Sequence, residues 1–168
     1  MSAITVSTCQ AALVALLTAA QANTALFPDL TGIPIAREDY TDTTGATEAA
    51  WETALNGSQS SPNPPGMFLF VTLPFAVRVE QLNQGTARFL ATIKVALFEN
   101  PVANMNTENG GLGRDPLRAL ESVWRAVTNK PSHGPQQFTI SDPLDQIQEI
   151  SGGRIWVTYF DVPILWKP

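Results

Sequence analysis

The sequence predicts an α+β domain, an antiparallel sheet of about four strands with helices packed on one face. Three observations carry that expectation. Residues 67–80 alternate with period two: Met67, Leu69, Val71, Leu73, Phe75, Val77 and Val79 share one parity. Two other segments repeat their apolar residues at helical spacing. The order helix, edge piece, hairpin, helix, hairpin keeps helices outside the strand pairs, as an antiparallel sheet with helices on one side requires. The 168 residues, 44% of them apolar, fit one domain over 1–168. A chain of this size buries roughly 70% of its unfolded surface and needs no disulfide or metal to hold it.

The first helix begins near Ser7, with Gln10 at capping-box spacing and Leu13, Leu16, Leu17 and Ala20 on one stripe. The apolar run 11–17 followed by Ala20-Gln21-Ala22 has the look of a signal peptide. The first basic residue is Arg37, however, so the positive leader is missing and an amphipathic helix is the better reading. The run is also too short to span a bilayer. Residues 33–36 form an extended edge piece marked by Pro34.

A long polar insertion follows at about 41–66, interrupted by a short helix around 47–55 and ending in the loop 58–66. Within the strand 67–80, Pro74 predicts a bulge or an edge position. Residues 81–86 turn the chain into the partner strand 87–99. Phe89, Ala91, Ile93, Val95 and Leu97 line one face of that strand, opposite Arg88, Thr92 and Lys94.

A second polar loop, 100–114, leads to Asp115 as N-cap and Pro116 at the first helical position. Leu117, Leu120, Val123, Trp124 and Val127 make the stripe of this second helix, with Lys130 in its last turn and Pro131 beyond. A strand at 136–140, extended by 147–150 after an Asp142-Pro143 turn, precedes the last strand, 154–164. That strand is apolar on both faces, which predicts a central position with both faces covered.

Composition excludes several functions. Charged residues are 15% of the chain, against about 25% in an average domain, and the net charge is −5 without any Lys/Arg cluster. Dedicated nucleic-acid binding, which rests on phosphate neutralisation, is therefore not expected. One cysteine, Cys9, permits no internal disulfide. His133, the single histidine, sits in the turn-like run Lys130-Pro131-Ser132-His133-Gly134-Pro135, without a nucleophile elbow anywhere. Neither Cys9 nor His133 has a metal-binding partner at ligand spacing. The acids of Glu38-Asp39-Tyr40-Thr41-Asp42 lack the alternation, central Gly and terminal Glu of a calcium loop. Asn109-Gly110-Gly111-Leu112-Gly113-Arg114 opens a helix, but Asp115 already caps it and repels phosphate, so an interface loop is the better reading. Trp124 and Trp156 fit the core; Trp51 and Trp166 lie outside the strongest periodic segments and are candidate interface anchors. No cofactor and no catalysis are expected.

Two stretches carry a resemblance. One is Leu97-Phe98-Glu99-Asn100-Pro101-Val102-Ala103-Asn104, followed by the Asp115-capped helix. The other is the closing Gly152-Gly153-Arg154-Ile155-Trp156-Val157-Thr158-Tyr159-Phe160. With the order of elements over most of the chain, they resemble the small tail-terminator and neck (head–tail joining) proteins of long-tailed bacteriophages. The insertion at about 41–66 is longer than the minimal fold of that family, which leaves the identity of the neighbouring ring open. The resemblance implies a virion protein made in the host cytoplasm. It implies a ring, typically a hexamer, that ends tail-tube polymerisation and docks to the head connector. Its partners would be copies of itself, the tube protein and the connector. DNA would pass through without sequence recognition, and no membrane would be involved. The contact residues expected on this reading are Trp51, Pro64, Asn100, Asn104, Met105, Asn109, Arg114 and Trp166. A head-completion or stopper role uses the same fold with a different neighbour. The reading from another class, a small enzyme or ligand-binding domain, would need Arg37, Glu38, Asp39, Glu99 and Asn100 in one cavity.

Overall fold

The computed structural model describes residues 6–39, 46–59, 62–74, 76–83, 86–133, 136–150 and 153–166. Among the described residues, four α-helices, α1 (Val6–Ala22), α2 (Ala46–Asn56), α3 (Pro101–Met105) and α4 (Pro116–Val127), accompany eight strands. The strands are β1 (Ile35–Arg37), β2 (Met67–Val71), β3 (Ala76–Asn83), β4 (Thr86–Glu99), β5 (Pro131–His133), β6 (Gln136–Gln137), β7 (Thr139–Ile150) and β8 (Gly153–Trp166). The main sheet runs β1-β2-β4-β8-β7, with β3 also on β4, and β5 and β6 form a separate pair. The α+β class is as expected. The sheet is larger than the expected four strands, and β1 pairs with β2 in parallel.

That parallel pair explains the insertion. Parallel neighbours need a crossover of a dozen or more residues, usually with a helix. Residues 38–66 supply it, and α2 is its helix. The expected edge piece and short helix are therefore two parts of one β1–α2–β2 unit.

The strand expected at 67–80 is divided. Five steps lead from Val71 to Ala76 while their partners Val95 and Thr92 are three steps apart. An excess of two residues, with Pro74 inside it, returns the chain to the same parity, so β2 and β3 share one edge of β4. Val79, expected in the core, is 60% exposed.

On the first face, Leu69, Val71, Ile93, Val95, Leu97 and Phe160 meet Leu13 and Leu17 of α1 and Leu120, Val123 and Val127 of α4. Trp124 donates its indole N–H to the buried Thr158 hydroxyl at 2.8 Å, fixing α4 over β8. Leu117, expected on the apolar stripe, is exposed in the first turn of α4, and Ala119 and Ala126 are buried instead. Gln10, expected as a capping partner, is buried and reaches the sheet. Its amide donates to the carbonyls of Glu38 and Val71 at the β1–β2 edge.

Helices do not keep to one face. Ala54 and Leu55 of α2 pack on Phe68 of the opposite face, joined by Trp51, Phe70 and Phe98. Beyond α2 that face is partly open: Ile155, Val157 and Tyr159 of β8 are half-buried, so only one side of the central strand is fully covered. The expected Asp142-Pro143 turn is absent. β7 runs through it as an edge strand with three register shifts against β8, each adding one residue. An edge strand tolerates both the proline and the bulges.

Candidate functional site

The two polar loops meet. Asn100 N–H donates to Gly66 O at 2.9 Å, Gly66 N–H to Ala54 O at 3.0 Å, and Leu112 N–H to Pro65 O at 3.2 Å. The end of the α2 crossover and the loop after β4 thus form one wall at one end of the sheet.

Asn100 organises the wall. Its side-chain oxygen caps α3, accepting from Val102 N–H at 3.1 Å and Ala103 N–H at 3.2 Å. Its amide nitrogen donates to Leu55 O and to Asn56 Oδ1 at the end of α2. One side chain therefore ties the C-terminus of α2 to the N-terminus of α3.

Asn104 does the same one turn later. It is wholly buried. Its Nδ2 donates to Glu99 Oε1 at 3.0 Å and to Arg114 O at 2.8 Å, while its Oδ1 accepts from Arg114 N–H at 3.1 Å. Glu99 is buried as well, and its other oxygen has no hydrogen-bond partner among the described residues. Asn104 was expected at a contact surface; it is an internal strut that closes the loop 104–114 on itself.

Glycine makes the close approach possible at two places. At Gly66, with φ +75°, a Cβ would stand 2.1 Å from Asn104 N; at Gly111 it would stand 2.1 Å from Ala103 O. No side chain fits either position. The glycine-rich run expected as an interface loop is in part a weld, and α4 behind it is capped by Asp115, whose carboxylate accepts from Leu117 N–H at 2.9 Å.

The outer side of the wall offers contact area. Val102 is 81% exposed and Met105 68% exposed, both on α3. Between the loops lies a cleft of about 260 Å3, lined among others by Pro62, Pro64, Asn100, Val102, Asn106 and Asn109. Of the expected contact residues, Pro64, Asn100, Met105 and Asn109 belong to this wall, and Arg114 is half-buried behind it. Trp51 lies elsewhere, half-buried and stacked on Phe98 with ring centroids 5.6 Å apart. Trp166 ends β8, paired with Ala87.

The polar cluster considered for an enzyme is not assembled. Glu38 and Asp39 line a second cavity, of about 300 Å3, with Thr47, Glu48, Trp51, Phe68, Phe70 and Phe98. Asn100 faces the loop cleft and Glu99 is buried against Asn104. Arg37 lies level with Val71 and hence Val95, about 13 Å along β4 from Glu99 at 3.3 Å per residue. Tyr40, Thr41 and Asp42 of the acidic run lie outside the described residues. Cys9 is buried in the core, and burial pushes its thiol above the ordinary value of 9.0. Among the described residues no group of three His, Cys, Asp or Glu stands close enough to hold a metal, and no helix is long and apolar enough to cross a membrane.

The wall and the aromatic cavity were not read from the sequence as places. A signal for the second existed: Phe68, Phe70 and Phe98 occupy the parity opposite the core, which a solvated sheet face would not carry. Compared with protein-family models and with curated proteins, the chain matches none.

Proposed function

We propose that the chain is a structural virion subunit that forms a ring, typically a hexamer, at the head-proximal end of a phage tail. There it ends tube polymerisation and joins the tail to the head connector. The observation that carries this reading is the wall made by the two loops. Segments far apart in sequence are bonded into one surface by Asn100 N–H to Gly66 O, Leu112 N–H to Pro65 O and the Asn100 side chain to the end of α2, with Val102 and Met105 left facing outward. Fixing long polar loops costs conformational entropy, and a rigid contact surface is the use that repays it. One of the two stretches that carry the resemblance, the run from Leu97 to Asn104, lies in this same place. An acidic chain without basic clusters also suits a conduit through which DNA passes without being gripped.

The test is assembly. Val102→Asp with Met105→Asp changes two exposed positions, where substitutions cost about 0.5 kcal/mol or less in stability. The double variant is expected to melt like the wild type and to lose self-association in size-exclusion chromatography with light scattering. Unchanged association would remove α3 from the interface and with it the basis of the reading.

A further inference from the structure

The cavity under α2 is chemically unlike the loop wall. Trp51, Phe70 and Phe98 give it aromatic sides, and Glu38, Asp39 and Glu48 supply carboxylates. No Lys or Arg is among the described residues that line it. Arg37, the nearest cation along the chain, follows Ala36, which packs into the aromatic cluster. Alternation along a strand therefore puts Arg37 on the other face.

We infer that this cavity is a socket for an arginine side chain presented by a partner protein. Its volume of about 300 Å3 lies at the lower limit for small-molecule pockets, roughly 300–1,000 Å3, and suits one long side chain better than a cofactor. Aromatic walls take the methylene stem, and ring faces and carboxylates both favour a positive head group. A guanidinium is flat, weakly hydrated and able to stack on rings while its N–H groups meet carboxylates; an ammonium is more strongly hydrated and does this less well. The chain already uses the same chemistry internally, with Arg125 lying 5.4 Å from the Phe27 ring centroid. Its net charge of −5 favours the approach of a basic partner. Glu38 accepts from Leu73 N–H at 2.8 Å, so the position of that acid is set before an arginine arrives.

The inference stands apart from the ring, because the free chain can be titrated with peptides without any assembly. The probes are Ac-Gly-Arg-Gly-amide and its citrulline counterpart, which has the same shape and no charge. The readout is the Trp51 indole N–H signal in proton–nitrogen correlation spectra, identified by its loss in Trp51→Phe. The arginine peptide is expected to shift that signal saturably, and the citrulline peptide to bind about tenfold more weakly. Glu48 is exposed on α2, so Glu48→Gln leaves the fold intact. This variant is expected to weaken the arginine peptide severalfold and leave the citrulline peptide unchanged, and added salt is expected to act in the same direction. Equal binding of the two peptides would overturn the inference, since the cavity would then be only an apolar cleft. A Trp51 signal that moves with neither peptide would overturn it too.

Discussion

Asn104 is the buried strut of the candidate site. Its amide uses both its donor and acceptor sides, toward Glu99, Arg114 O and Arg114 N–H, in a place water does not reach. Asn104→Ala would leave the buried Glu99 carboxylate without its hydrogen-bond donor among the described residues, and two backbone groups of Arg114 unsatisfied. A loss of about 2–3 kcal/mol is expected from orphaned buried groups, read as a lower urea midpoint with an unchanged slope. Cys9 gives a pH signature. Its folded thiol titrates above 9.0, the ordinary value that applies to the unfolded chain. Below that pH both states hold the proton and stability is complete. Above it the unfolded chain loses its proton first, so stability falls as pH rises toward the raised folded value. In urea melts the advantage of the wild type over Cys9→Ala is expected to shrink above about pH 9. A constant difference would mean that the thiol is less buried than its place between α1 and the sheet requires.

At the scale of elements, β2 is the keystone: it has β1 on one side and β4 on the other, and helices over both faces. Val71→Asp would bury an unpaired charge there and is expected to cost several kcal/mol, of the order of 3–5. A variant that melts like the wild type would refute the packing of this strand. Local patterns made most elements legible. Asp115-Pro116 marked the start of α4 because a cap and a proline act within one turn. Leu13, Leu17 and Ala20 marked the buried side of α1 by spacing alone. What escaped was non-local. Nothing near Pro34 states that Ile35–Arg37 pairs in parallel with Met67–Val71, so the crossover read as an insertion. Asp142-Pro143 reads as a turn in isolation and becomes a bulged edge only because β8 lies alongside. Gln10 was assigned to its nearest orphan donors, whereas its partners, Glu38 O and Val71 O, are brought to it by the sheet.

For the whole molecule, the sequence marks two polar loops as separate segments and misses their relation. Sequence shows two loops; the fold makes them one wall, because β2 and β4 are adjacent and Gly66 directly precedes the first while Asn100 directly follows the second. Half of the expected contact residues lie on this wall. Asn104 is spent inside it, and Trp51 is turned to the opposite sheet face, where it lines the proposed arginine socket. Side-chain type alone did not distinguish an exposed asparagine such as Asn109 from the buried Asn104 that holds a loop. The central claim is that this chain works by assembling. It is tested most directly by light scattering on the purified full chain across a concentration series, with electron microscopy of the largest species. The account predicts closed rings whose mass is a whole multiple of the 18.1 kDa protomer. A single species of 18.1 kDa at every concentration up to the solubility limit would contradict it.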